Sequence, residues 1–376
     1  MSPTPIPGTW QTGDDPGHRQ FVELKGSDQG FALESGASLA SVTVAFETWG
    51  QLNHSATNAV LVLHALSGDS HAEGAAGPGH VSPGWWDALI GPDAPIDTDR
   101  YFVVCPNVLG GCQGTTGPSS PDTDNALYGS RFPVITIRDQ VAVEVALADE
   151  LGIETWAAVI GGSMGAMRAL EWSVGYPDRV ERAIVLAVSA AASAEQIALC
   201  SLQIRAIKSD PAFKNGDYYA SGTGPSKGLS IARGLGQLSY RTENEFDVRF
   251  AREVQDGETP LHGGRYAVES YLEYQGEKLT RRFDANSYIV LSEAMNHHDV
   301  GRGRGGVAEA LASVRAHVTV AGIASDRLYP LKQQLEIARL LPGEVEVTVI
   351  ESEFGHDGFL LETEAVGAVV RTALRD

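Results

Sequence analysis

The chain has 376 residues, 43% of them hydrophobic, and a formal net charge of −20. That is enough apolar material for one large domain or a core with an insertion, while the negative surface repels nucleic acid and anionic membranes. Cys105, Cys112 and Cys200 are too few and too scattered for a disulfide framework, and no apolar run reaches membrane-spanning length.

Residues 1–18 are polar and rich in Pro, Gly, Thr and Asp. They read as a flexible tail without the apolar centre of a secretion signal, so a soluble cytoplasmic protein is expected. Residues 42–49 alternate, with Val42, Val44 and Phe46 set against Thr43, Ala45 and Glu47, which suits an antiparallel edge strand. Residues 59–63, 101–105, 155–160 and 183–188 are continuously apolar and suit strands buried on both faces of a parallel sheet. Between them, residues 140–151 carry a helical stripe of Val141, Val145, Ala148 and Leu151. From residue 189 to about 315 no strand run occurs, and helical periodicity occupies 194–207, 226–238, 243–253 and 267–283. Strand and helix then alternate again: strand 318–323, helix 331–340, strand 345–350, helix 363–374. The pattern predicts an α/β core over 19–188 and 316–376, with a mostly parallel central sheet and helices on both faces. Residues 189–315 would be a helical insertion. It would land above the C-terminal edge of the sheet, where ligands bind in such folds, and so act as a lid.

The chemistry starts at Gly161-Gly162-Ser163-Met164-Gly165, which follows one apolar run and precedes a helical pattern. G-x-S-x-G in that context is the nucleophile elbow of the α/β-hydrolase fold. A serine hydroxyl needs a base to become nucleophilic, usually a histidine oriented by a carboxylate. In this fold the chain order is serine, acid, histidine. Asp326 follows strand 318–323 and His356 follows strand 345–350, both in that order. The competing pair in His297-His298-Asp299 lies in the insertion, ahead of the late strands. An oxyanion needs two backbone N–H donors. One is expected from Met164, the other from Leu66 in the loop after residues 59–63.

Further motifs accompany these residues: His64-Ala65-Leu66-Ser67-Gly68-Asp69-Ser70, Gly84-Trp85-Trp86, Asn107-Val108-Leu109-Gly110-Gly111-Cys112, Thr116-Gly117-Pro118, Arg131-Phe132-Pro133, Ile137-Arg138-Asp139, Tyr240-Arg241, Glu269-Ser270-Tyr271-Leu272, Arg282-Phe283-Asp284 and Gly355-His356-Asp357-Gly358-Phe359-Leu360. Together they resemble the homoserine O-acetyltransferase family, acyltransferases of methionine biosynthesis, over nearly the whole chain. The resemblance implies Ser163, Asp326 and His356 as a triad and the Leu66 and Met164 amides as the oxyanion hole. It also implies Arg233 as the ligand of the homoserine carboxylate and Asp357 as the ligand of its amine. It implies acetyl-CoA as co-substrate with no bound cofactor or metal, and a homodimer formed through the helical insertion. Departures from the family pattern are Ala166, Ala191 and Gly234; they bear on which groups hold the CoA phosphates. Family members that use succinyl-CoA tend to place an arginine where this chain has Leu328, and an apolar side chain there suits an acetyl donor. Elbow and triad alone also fit a serine esterase or thioesterase, a transferase acting on serine, or an inactive hydrolase fold serving as a binding module.

Overall fold

The apolar runs become strands because both of their faces are covered. The computed structural model describes residues 8–26 and 30–375. Its central sheet has eight strands: β1 (Gln20–Lys25), β2 (Ser41–Trp49), β3 (Ala59–Leu63), β4 (Phe102–Pro106), β5 (Ala158–Gly162), β6 (Arg182–Leu186), β7 (His317–Ile323) and β8 (Val347–Ile350). Their spatial order is β1-β2-β4-β3-β5-β6-β7-β8. From β4 to β8 all pairings are parallel, and β2 is antiparallel to both of its neighbours. Every residue of β3 and β5 is buried.

Along these strands alternate residues feed two cores. Leu61, Val159, Val185 and Val320 join one apolar cluster with α1 (Ile137–Glu150) and α2 (Met164–Gly175). Val60, Ile160, Ile184 and Ala321 join the other, toward the C-terminal helix Thr363–Ala373. A capping box starts α1: the Thr136 side chain accepts the Asp139 N–H, and the Asp139 carboxylate accepts that of Thr136. Between β6 and β7 the chain inserts α3 (Ala194–Lys208), α4 (Ser226–Tyr240), α5 (Glu243–Arg249), α6 (Ala267–Thr280), α7 (Ala285–Asn296) and α8 (Val307–Ala312). The last of these packs on α9 (Leu331–Leu340) of the core.

Four expectations change. The strand over residues 42–49 is not at the edge, because β1 covers it. Its alternation suggested a wet face, yet Glu47 on that face is 1% exposed. Ser70 and His71 hydrogen-bond its carboxylate, at 2.7 and 3.0 Å. The strand placed at 155–160 runs instead from Ala158 to Gly162, so Gly161 and Gly162 of the elbow are strand residues. Helix α7 was not legible: nine of its twelve residues are buried, so it has no polar face to create periodicity. Finally, residues 8–18 of the expected tail touch the core at several points, while residues 12–16 and 18 are exposed. Trp10 stacks on Phe21 with centroids 4.6 Å apart, and its backbone N–H donates to the Cys112 carbonyl at 2.9 Å. Residues 1–7 lie outside the described residues. No helix among the described residues is long and apolar enough to cross a membrane.

Candidate active site

Ser163 stands at the junction of β5 and α2 with φ 57° and ψ −126°. That backbone is strained for a residue with a side chain. It turns the chain sharply enough to project Oγ at the C-terminal edge of the sheet. The flanking glycines are demanded by close approach. A Cβ on Gly165 would lie 2.0 Å from the Leu63 carbonyl oxygen, and one on Gly161 2.3 Å from the Gly165 carbonyl carbon. One on Gly162 would lie 2.3 Å from the Phe359 ring. The spacing of the motif therefore records how tightly helix, strand and neighbouring loop pass one another.

Asp326 and His356 arrive on the loops after β7 and β8. His356 Nδ1 lies 2.7 Å from Asp326 Oδ2, and its Nε2 lies 2.9 Å from Ser163 Oγ. The other Asp326 oxygen accepts the N–H groups of Leu328 and Tyr329 at 2.8 and 2.9 Å, which fixes the carboxylate's orientation. Ser325 ties the two loops together: its Oγ donates to the Ser352 carbonyl at 2.6 Å and accepts the Gly355 N–H at 3.2 Å. Tyr329, Phe359 and Tyr240 surround the imidazole, with ring centroids 5.0, 5.3 and 6.0 Å away. Burial disfavours the imidazolium, but the charge and hydrogen bond of Asp326, with Asp357 beside it, outweigh that and hold His356 above the ordinary histidine value. A serine hydroxyl, an imidazole and a carboxylate are thus within hydrogen-bond reach in one buried line, the arrangement that can activate a nucleophile.

The insertion closes on this rim. Gln196 of α3 donates to the Leu328 carbonyl at 2.7 Å, and Thr242, just after α4, donates to the Glu353 carbonyl at 2.7 Å. Arg233 on α4 is half-buried, with Nη1 3.5 Å from Ser67 Oγ and its guanidinium 5.4 Å from the Tyr240 ring centroid. Asp357 pairs with Arg241 at 3.1 Å. Burial pushes the Asp357 carboxyl up, while Arg241, Arg233 and His356 pull it back. Leu66 lies in the loop after β3, and β3 is paired to β5, so that loop borders the elbow. Met164 opens α2, where the first N–H groups have no intrahelical partner. Leu328 is half-buried against the main apolar cluster, and its N–H serves Asp326.

Two groups have other roles. His298 is buried with Nε2 2.9 Å from the Ser189 carbonyl, and burial lowers its pKa to about 4. It is a buttress between α7 and β6. Glu47, His71 and His80 bring ligand atoms within 4.8 Å of one another. Yet the two imidazoles stack at 3.8 Å and 11°, so their in-plane lone pairs do not converge on one point. His80 Nε2 already accepts the His18 N–H at 3.0 Å. Stacking of His80 on His71, which hydrogen-bonds Glu47, ties residue 18 to β2. Sequence reasoning missed Arg282, which donates to the Ser67 carbonyl at 2.6 Å. Its motif with Phe283 and Asp284 was the available signal.

A family model for the alpha/beta hydrolase fold matches residues 58–363. A homoserine O-acetyltransferase of Thermobifida fusca is 58% identical over 373 residues, 99% of this chain and 98% of that protein. Among solved structures, the homoserine O-acetyltransferase of Bacillus anthracis superposes with a TM-score of 0.87 at 28% identity, over 96% of this chain and 98% of that one. The esterase E22 superposes with a TM-score of 0.85 at 28% identity, over 95% of this chain and 99% of that one. Fold similarity alone is thus shared by transferases and esterases, whereas the near-full-length sequence match is to a transferase. The chain belongs to the homoserine O-acetyltransferase family, on the α/β-hydrolase fold.

Proposed function

We propose that this enzyme transfers the acetyl group of acetyl-CoA to the side-chain hydroxyl of L-homoserine, by way of an acetyl-Ser163 intermediate. The observation that carries the reading is a guanidinium, Arg233, and a carboxylate, Asp357, set at the rim of a hydrogen-bonded serine–histidine–aspartate line. His356 takes the Ser163 proton as Oγ attacks the thioester carbonyl. The Leu66 and Met164 amides bind the oxyanion, and Asp326 steadies the imidazolium. The tetrahedral adduct collapses, the C–S bond breaks, and His356 gives the proton to the departing thiolate. Homoserine then enters with its carboxylate in the Arg233 fork and its ammonium at Asp357. His356 removes the hydroxyl proton, the oxygen attacks the acyl carbon, and Ser163 leaves as the alcohol. The helical insertion acts as the lid that keeps water from competing. Exposed Ile231 and Leu238 on α4 and Tyr274 on α6 support pairing of two copies through the insertion. Catalysis as a soluble enzyme of the cytoplasm accords with these substrates.

The experiment is a donor-by-acceptor matrix: acetyl-CoA and succinyl-CoA against homoserine, serine and water, read as thiol release. The expected result is release that depends on acetyl-CoA and homoserine together, with parallel initial-velocity lines. Release indifferent to homoserine would make the chain an esterase or thioesterase, the reading that its resemblance to esterase E22 favours. Faster turnover with succinyl-CoA would overturn the inference from Leu328.

Arg233→Lys keeps the charge but loses the planar fork. One charged hydrogen bond contributes roughly 1.5–3 kcal/mol. KM for homoserine should therefore rise about tenfold to a hundredfold. The single-turnover burst of CoA should stay unchanged, because homoserine has no part in that half-reaction. A slowed burst would place Arg233 on the donor instead.

A further inference from the structure

We propose that His64 is a positioning residue of the oxyanion hole: it locks the Ala65–Leu66 peptide plane so that the Leu66 N–H faces the acyl oxygen. This deepens the function proposed above and rests on its choice of Leu66 as a donor. The argument begins with the tautomer. The Val108 N–H lies 3.1 Å from His64 Nε2 and can only donate. Nε2 is therefore bare and the ring proton is on Nδ1. Nδ1 is 2.8 Å from the Ala65 carbonyl oxygen and donates to it. The same oxygen accepts the Gly68 N–H at 2.9 Å. In a trans peptide the carbonyl oxygen and the following N–H point in opposite directions. Two donors on Ala65 C=O thus hold the Leu66 N–H turned away from them. Among the described residues that N–H has no backbone acceptor outside regular secondary structure.

The surroundings hold this arrangement in place. His64 is 2% exposed, and burial with the nearby Arg168 charge lowers its pKa to about 3, so the neutral ring persists throughout the working range. The Arg168 guanidinium, wholly buried on α2, donates to the His64 carbonyl and is itself paired with Glu144 at 2.6 Å. A Cβ on Gly68 would lie 2.9 Å from His64 Cβ, so the loop can fold over the ring only as glycine. Two peptides further on, Arg282 holds the Ser67 carbonyl. The donor loop is clamped at the Ala65 and Ser67 carbonyls, on either side of Leu66.

Two isosteres separate positioning from mere support. Asparagine places its amide nitrogen near Nδ1 and can keep the bond to Ala65 O, but it loses the contact with Val108. Glutamine reaches Val108 but leaves Ala65 O with one donor fewer. The rate of Ser163 acylation by p-nitrophenyl acetate is measured for both variants. So is the inhibition constant of a trifluoromethyl ketone thioether of CoA, whose hemiketal oxyanion fills the same hole. Losing one oxyanion donor costs about a hundredfold to a thousandfold. A donor that is only misaligned should cost about tenfold or more. His64→Gln should thus lose about tenfold or more in both quantities in parallel, with KM nearly unchanged, while His64→Asn stays within about threefold of the parent. The pKa of the bound hemiketal hydroxyl, read by carbon NMR, should rise in His64→Gln. If His64→Gln matched the parent, or if the order were Gln above Asn, the proposal would be overturned. Should His64→Gln fail to fold, His64→Asn decides alone, a tenfold loss being fatal. Failure of the parent enzyme to pass acetyl to homoserine would sink the proposed function and leave this ranking intact.

Discussion

Ser163→Ala should abolish acyl transfer, lowering kcat by about a hundred-thousandfold to a millionfold, as loss of a catalytic serine does elsewhere. The variant should fold, because among the described residues the Ser163 side chain hydrogen-bonds one protein partner, His356. What strains the turn is its backbone, and alanine must adopt the same φ. Intact-protein mass spectrometry after mixing with acetyl-CoA should show an added acetyl group on the parent and none on the variant. The residual rate comes from the oxyanion donors and substrate binding, which persist without the nucleophile. An acetyl adduct on the variant, or turnover within tenfold of the parent, would remove Ser163 from the chemistry.

Asp326→Asn is the second large effect. The carboxylate accepts from His356 Nδ1 at 2.7 Å while its other oxygen is held by two amides. An amide in its place can present its NH2 to the ring, which favours the wrong tautomer and leaves Nε2 protonated toward Ser163. A fall of about ten-thousandfold in kcat is expected. The pH profile adds a sign. His356 must be neutral to accept the serine proton, and Asp326 raises its pKa above the ordinary 6.5. In the parent, kcat/KM should rise with pH through a midpoint above 6.5. With the aspartate charge gone, burial opposes the imidazolium with Asp357 as the remaining counter-charge, so the midpoint should move down. A midpoint that stays put would mean that another group governs the limb. The same coupling bears on stability. The raised pKa makes the Asp326–His356 pair stabilising below the unfolded histidine value, and that contribution fades as pH rises through the folded one.

Much of this site was legible before the fold was known. G-x-S-x-G after an apolar run, an aspartate after one late strand and a histidine after the next are local patterns, and their order along the chain follows from topology. The same holds for the parallel strands, since burial on both faces writes an unbroken apolar run. What stayed hidden was whatever depends on a partner distant in sequence. The edge position of β1, which lies beside β2, and the burial of α7 cannot be read from periodicity, because the partner surface and not the segment sets exposure. Segment 8–18 is of the same kind: its polar composition says loop, and its contacts with Phe21, the Cys112 carbonyl and His80 depend on residues distant in sequence.

By itself the sequence pointed, through its family resemblance, to the reaction class, and it singled out Ser163, His356 and Asp326 as candidate nucleophile, base and acid. Those three candidates follow from residue type and from the strand end that carries each, and both are local properties. The tertiary structure alone decided how those groups are held. It placed Asp357 against Arg241, brought Arg282 onto the loop that carries Leu66, and set the Val108 N–H on the His64 ring. Such assignments depend on hydrogen-bond directions between segments far apart in the chain, and direction is a property that only the folded backbone possesses.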